Sequence, residues 1–167
     1  EKGHLVDGDQ IMAICGCYMK EKGTLKNDTI VATVMSNLGF FLMGEKKGLH
    51  LEQTKVGDRY VLERMREIGA NLGGEQSGHI IFLDENTTGD GLLSALHLLE
   101  VVVKTGKPLS ELAAVMEILP QALVNAKVPN HKKEHYMEYS EIAEAITQLE
   151  RKFEGEGRVL IRPSGTE

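Results

Sequence analysis

Six consecutive residues, Gly74-Glu75-Gln76-Ser77-Gly78-His79, set a carboxylate, a hydroxyl and an imidazole inside a frame of glycines. A carboxylate accepts hydrogen bonds from two neighbouring hydroxyls at once, which suits a sugar diol. Ser77 can donate or accept, and the His79 imidazole can take up or pass on a proton. Gly73, Gly74 and Gly78 allow close approach of the backbone to a ligand. The alternative is a tight polar turn between two strands, with Glu75 simply solvated. A second grouping is Arg162-Pro163-Ser164-Gly165-Thr166, where a strand-like run delivers an arginine, a rigid proline, two hydroxyls and a glycine. Arginine grips phosphate oxygens bidentately, and glycine-bearing turns aim backbone N–H groups at an anion. No base lies nearby in sequence to activate a nucleophile, so the segment reads as an anion clamp; the alternative is an ordinary turn.

Other groupings carry less. His131-Lys132-Lys133-Glu134-His135 has the H-x-x-E-H spacing of one class of zinc peptidases. That chemistry needs both imidazoles on one helix face and a distant third ligand. Here the run follows Pro129-Asn130 amid lysines and reads as a solvated linker. Cys15 and Cys17 are the full set of cysteines. Their C-x-C spacing would strain a mutual disulfide and matches no common zinc spacing. They fall in an apolar run, so they read as small buried hydrophobes of a reducing compartment. No G-x-G-x-x-G occurs, which gives a dinucleotide-binding role little support. Asn27-Asp28-Thr29 and Asn86-Thr87-Thr88 match glycosylation acceptors, but no secretion signal supports their use.

These groups need elements to hold them. Asp9 can cap a helix whose inward face is Ile11, Ile14, Cys15 and Tyr18. Thr29 to Met35 is β-branched and nearly all apolar, as a strand covered on both faces should be. Ser36 or Asn37 can cap a second helix through Phe40, Phe41 and Met43. Leu49 to Val56 reads as a strand, and Asp58 can cap a third helix through Val61, Met65 and Ile68. Short extended pieces follow at 71–73 and 79–83. The order β-α-β-α-β predicts a mainly parallel sheet with helices on both faces, a three-layer α/β/α domain. The next helix runs from about Gly89 to Thr105, with Leu92, Leu93, Leu96, Leu99 and Val103 at helical spacing. A short helix at 109–117 completes a domain at residues 24–118. After Pro120 a strand-like alternation over 122–128, a helix capped by Ser140 with face Ile142, Ile146, Leu149 and Phe153, and a strand at 158–161 begin a C-terminal α+β domain. In open parallel sheets ligands sit beyond the carboxyl ends of the strands. Ser36-Asn37, Gly57-Asp58-Arg59 and the glutamate-bearing turn occupy such places.

The 167 residues carry 25 acidic and 19 basic side chains, a formal charge of −6. At roughly 150 residues per domain that is one domain, or one plus a piece. Hydrophobics at 41% and charges at 26% are globular values that argue against disorder. The acidic balance disfavours a nonspecific hold on nucleic acid or an anionic membrane. No apolar run approaches the roughly 18 residues of a membrane span. Glycine is common, at 18 of 167 residues against roughly 7% on average. Gly23, Gly48, Gly69 and Gly106 each close a helix-like run, where a C′ glycine belongs. The chain begins with Glu1 rather than Met and stops at Ser164-Gly165-Thr166-Glu167, which suggests a segment of a longer protein.

The two chemical groupings carry a resemblance. Gly74-Glu75-Gln76-Ser77-Gly78-His79 resembles the sugar-binding loop of the α-D-phosphohexomutase superfamily, and Arg162-Pro163-Ser164-Gly165-Thr166-Glu167 resembles the phosphate-binding loop of that family's last domain. Asp7-Gly8-Asp9-Gln10-Ile11-Met12, Thr33 to Gly39 and Val56 to Val61 resemble the bacterial phosphoglucosamine mutase branch in particular. The likeness runs over essentially the whole chain, with the motifs in the family's order. It implies conversion of glucosamine 6-phosphate to glucosamine 1-phosphate, or the reverse, by an intramolecular phosphotransferase of the isomerase class. A phosphoserine and a sugar bisphosphate intermediate are implied, as is a contribution to UDP-N-acetylglucosamine and cell-wall synthesis in the cytoplasm. By resemblance Glu75 and Ser77 hold ring hydroxyls, His79 and Arg59 line the cleft, and Arg162, Ser164, Gly165 and Thr166 hold the phosphate that is not reacting. Residues 1–23 would be the tail of the family's domain 2, 24–118 its domain 3 and 119–167 an incomplete domain 4. The phosphoserine loop and the Asp-Gly-Asp-x-Asp-Arg loop for a magnesium ion (Mg2+) would lie upstream, leaving no catalytic or metal residue in this segment. Asp7-Gly8-Asp9 lacks the third Asp and the Arg, so Asp9 reads as a helix cap. The segment alone would then be inactive. A sugar 1,6-bisphosphate activator and a small phosphosugar partner are implied; family members self-associate, which leaves a homodimer open. The alternatives are a phosphomannomutase or phosphoglucomutase of the same superfamily, a noncatalytic phospho-sugar-binding module, and a purely structural domain.

Overall fold

Thr29–Thr33 forms strand β1 with every residue buried. A strand with no polar side must be covered on both faces and paired along both edges. The computed structural model, which describes residues 3–154 and 156–163, meets both demands. β2 (His50–Thr54) and β3 (Leu72–Gly74) both run parallel to β1, with Val31 opposite Glu52 on one side and Gly73 on the other. β4 (Ile80–Phe82) pairs antiparallel with β3, Leu72 facing Phe82. The sheet order is β2-β1-β3-β4. Helix α2 (Leu38–Lys47) makes the first crossover and α3 (Asp58–Ile68) the second. Residues 75–79 are too few for a third, since a parallel connection needs a dozen or more residues, and the last strand therefore reverses.

Side chains alternate between the two faces as the pleat requires. Ile30, Ala32, Leu72, Ile80 and Phe82 pack with Phe40 and Met43 of α2. Val31 and Ile81 pack on the opposite face with Val61 and Met65 of α3. Helix α1 (Gly8–Glu21) shares the first layer: Met12, Ala13 and Cys15 belong to the cluster of Ile30 and Leu72. The compact unit accordingly spans residues 1–119, starting ahead of the boundary expected after residue 23. Helices α4 (Gly91–Thr105) and α5 (Leu109–Leu112) complete that layer, Ile14 meeting Val101 and Ala113.

Several local readings change: Asp58 and Ser140 are the first residues of their helices rather than caps, which fall to Gly57 and Tyr139 without a side-chain bond. Asp7, not Asp9, caps α1: its Oδ1 accepts the Gln10 N–H at 3.0 Å, and Gln10 Oε1 accepts the Asp7 N–H at 3.4 Å, a capping box. Asp9 lies one residue inside the helix, fully buried, and its Oδ2 accepts the Asn37 N–H at 2.7 Å. It thereby ties α1 to the residue that caps α2 through its own side chain. On α4 the expected apolar row is largely outward. Leu92, Leu96, Leu99 and Val103 are exposed, while Ser94 and Val101 are buried with Leu93 and Leu98 half-buried beside them. The helix is apolar on two faces, so its periodicity does not say which face meets the core. Gly48, Gly69 and Gly106 follow α2, α3 and α4 in the left-handed conformation (φ 64°, 71° and 67°) that closes a helix.

The second unit, residues 120–167, holds α6 (Ser140–Lys152), with Ile146 buried. Its expected strands at 122–128 and 158–161 form no ladder among the described residues. A strand exists by pairing, and alternation of side chains supplies no partner for the backbone. Residues 133–138, which overlap the end of the H-x-x-E-H run, form a 3₁₀ turn in which His135 Nδ1 meets Glu138 Oε1 at 2.6 Å. No helix among the described residues is long and apolar enough to cross a membrane.

Both cysteines are free, and burial pushes the Cys15 thiol up to about 12, with the Glu100 charge adding to it. Burial also raises the less enclosed Cys17 thiol. At pH 8 a thiol reagent should modify Cys17 slowly and Cys15 only after unfolding, as mass spectrometry of the labelled peptides would show; equal labelling of the native chain would contradict this packing. Asp9→Ala leaves the Asn37 N–H without its acceptor and should cost about 1–3 kcal/mol in urea unfolding.

Candidate functional site

The chain leaves β1 toward β2 on one side and returns to β3 on the other, so the sheet has its switch point at the carboxyl end of β1. That is where doubly wound sheets open a crevice. A cleft of about 440 Å³ lies there, lined by Thr33 at the end of β1, Met35 beyond it, Val56 beyond β2, and Glu75, Gln76 and Ser77 beyond β3, with Asp7 from the start of α1.

The turn that joins β3 to β4 is built to hold its polar side chains. The Glu75 N–H donates to the His79 carbonyl at 3.0 Å, and the Gly78 N–H donates to the Glu75 carbonyl at 2.9 Å. Gly78 has φ +101°, a conformation that side chains resist. The Glu75 side chain is mostly enclosed, 13% exposed, and its Oε1 accepts the Gly57 N–H at 3.0 Å. Gly57 is the residue from which α3 springs, so a helix N-terminus and its partial positive charge hold one carboxylate oxygen. The other oxygen, Oε2, lies 4.0 Å from His79 Nδ1. Ser77 Oγ lies 3.3 Å from the same nitrogen. Glu75, Ser77 and His79 thus form one cluster on this turn, in which Glu75 and Ser77 line the cleft and His79 lies beside them.

Arg59 stands apart from that cluster. It lies in the first turn of α3, its exposed Nε donates to Glu63 Oε1 at 2.8 Å, and it does not line the cleft. The Glu63 hydrogen bond, with the Glu63 charge, raises the guanidinium further above its ordinary range. Arg162 is exposed in the second unit, and Ser164, Gly165 and Thr166 lie outside the described residues.

Asp7, Gln76 and Gly57 stand in runs quoted from the sequence, but residue type gives none of them a role of its own at this site. The spacing Asp7-x-x-Gln10 is itself a capping-box signature that points to Asp7. Gly57 acts through its N–H, which leaves no mark on residue type. Among the described residues no group of three or more His, Cys, Asp or Glu is gathered for a metal ion. Asp7 Oδ1 accepts the Gln10 N–H and Asp9 Oδ2 accepts the Asn37 N–H, so one oxygen of each is directed at backbone.

Comparison with known proteins agrees with this architecture. The family model of phosphoglucomutase/phosphomannomutase alpha/beta/alpha domain III matches residues 7–119, and that of the family's C-terminal domain matches 123–167. Phosphoglucosamine mutase of Ruminiclostridium cellulolyticum is 65% identical over 167 residues, which is 100% of this chain and 37% of that protein. A phosphoglucomutase/phosphomannomutase family protein of Burkholderia thailandensis superposes with a TM-score of 0.60 at 25% identity, over 72% of this chain and 25% of that one. The Aspergillus fumigatus N-acetylphosphoglucosamine mutase solved with GlcNAc-6P and magnesium shares the fold, with a TM-score of 0.76 at 20% identity over 98% of this chain and 42% of that one. The chain spans 37% of the length of the curated relative. Two consecutive domain models matched in order, over nearly every residue, establish that the chain belongs to the phosphoglucomutase/phosphomannomutase family.

Proposed function

We propose that this chain is the substrate-holding portion of a phosphoglucosamine mutase, acting in the cytoplasm on glucosamine 6-phosphate and glucosamine 1-phosphate. The observation that carries the reading is the Glu75 carboxylate at the cleft, pinned through Oε1 by the Gly57 N–H, with Oε2 4.0 Å from His79 Nδ1 and Ser77 Oγ 3.3 Å from that same nitrogen. Such a carboxylate is an acceptor fixed in place for two adjacent ring hydroxyls. The 65% identity to a protein named phosphoglucosamine mutase supports the amino sugar as substrate.

In this mechanism the sugar must be accepted in two orientations, because its free hydroxyl first takes the phosphoryl group from the phosphoserine and the phosphate at its opposite end then returns one to the freed serine. Glu75 and Ser77 bind the ring hydroxyls common to both poses, and His79 exchanges a hydrogen bond or proton beside them. Arg59 would swing from Glu63 to the phosphate side of the cleft. Arg162, Ser164, Gly165 and Thr166, carried by the C-terminal segment from residue 119, clamp the phosphate that is not in transfer. The phosphoserine and the ligands of a magnesium ion would be supplied by the part of the enzyme that precedes this segment. When bound, that ion supplies charge neutralisation on the transferring phosphoryl group. A sugar 1,6-bisphosphate would prime the serine. What these residues contribute is a hold on the sugar ring that is the same in both poses, which acts on binding of ground and transition states alike.

The test is a chimera in which residues 1–167 replace the matching segment of the R. cellulolyticum enzyme. Glu75→Gln keeps an oxygen toward Gly57 and turns an NH₂ into the cleft, replacing an acceptor by a donor. That substitution and Ser77→Ala should each lower kcat/KM on the order of 10- to 100-fold, the loss of one or two hydrogen bonds to a charged or polar partner. Full activity in both variants removes the sugar-loop assignment, and an inactive unmutated chimera removes the mutase reading itself.

A further inference from the structure

We infer that Gly8, the first residue of α1, is a positioning residue: the α1 N-terminus seats the 75–78 turn, and with it Glu75 and Ser77, through a contact that only glycine permits. The inference rests on the proposed sugar-binding role of that turn for its functional consequence, though not for its geometry. The Gly8 N–H donates to the Gln76 carbonyl at 3.0 Å. A Cβ at Gly8 would stand 2.2 Å from the Glu75 carbonyl oxygen, 2.9 Å from that of Gln76 and 2.9 Å from the Gly78 nitrogen, all backbone atoms. From 2.2 Å to the roughly 3.3 Å of an ordinary carbon–oxygen contact the turn would have to retreat by about 1 Å. The turn has little freedom to do so without releasing Gly57 from Oε1 or opening the hairpin bonds between Glu75 and His79. Gln76 Nε2 reaches Asp7 Oδ2 at 3.4 Å, a second and weaker tie between the same two segments.

Helix chemistry does not ask for glycine here. Gly8 is not in the left-handed region and lies inside the first turn, where alanine is the better helix former. Its N–H, as one of the first four of the helix, has no acceptor within the helix, so the turn supplies it with one. The requirement at residue 8 is therefore steric and is set by the neighbouring turn.

The experiment compares ¹⁵N NMR spectra of the 167-residue chain with and without Gly8→Ala, then the kinetics of the same substitution in the chimera. The expected result is displaced amide resonances at Glu75, Gln76, Ser77 and Gly78 with those of the second half of α1 in place. In the chimera KM should rise on the order of 10- to 100-fold, the scale of a 1 Å misplacement. The change in kcat should be much smaller, since contacts to ring hydroxyls act alike on ground and transition states. Unmoved resonances at 75–78 overturn the inference whatever the function. Moved resonances with an unchanged KM leave the seating intact and count against the sugar-binding reading instead. Should Gly8→Ala fail to fold, hydrogen exchange of the Gly8 amide in the unsubstituted chain decides. Protection matching that of the Gly78 amide supports the seat, and exchange at the rate of an open helix end overturns it.

Discussion

The fully buried strand Thr29–Thr33 is the constraint from which the rest descends. With both edges paired and both faces covered, it obliges the chain to pass to one side for β2 and back across for β3. That movement creates the switch point, and the switch point creates the crevice. The helices on the two sides are answers to one alternating row, Ile30 and Ala32 facing one layer and Val31 the other. The second unit has no equivalent of this strand among its described residues.

Within the crevice the polar groups are held by backbone more than by one another. Glu75 is fixed by the N–H at the root of α3, Gln76 by the N–H at the start of α1, and Asn37 by the buried Asp9 carboxylate on that same helix. Two loops, beyond β1 and β3, are thereby referred to two helix N-termini, the parts of a helix whose donors need outside partners. Pre-positioned acceptors of this kind lose little freedom when a ligand arrives.

Much of this was legible in the sequence, for physical reasons. Strand β1 announced itself because β-branched apolar runs have few alternatives, and the C′ glycines at 48, 69 and 106 marked helix ends because the left-handed conformation favours them. The cluster Glu75, Ser77 and His79 was visible because a hairpin keeps near in space what is near in sequence. What escaped depended on distant partners. Asp9 reads as a cap because residue type alone does not reveal that Asn37, far along the chain, donates to its oxygen. The outward row of α4 was hidden by a helix apolar on two faces. Residues 122–128 alternate like a strand, but alternation describes a side chain's surroundings and not a ladder. The role of Gly57 lies in a main-chain N–H, which every residue but proline owns.

The brevity of the link between β3 and β4 has a chemical result as well as a topological one. Because the strand doubles straight back, residue 79 arrives on the same rim of the sheet that residue 75 has just left, and the two side chains come within 4.0 Å. Had a helical detour been inserted there, the imidazole would have entered from the far rim, about 10 Å away along a three-residue strand. Economy of chain, in this instance, is what makes carboxylate and imidazole neighbours.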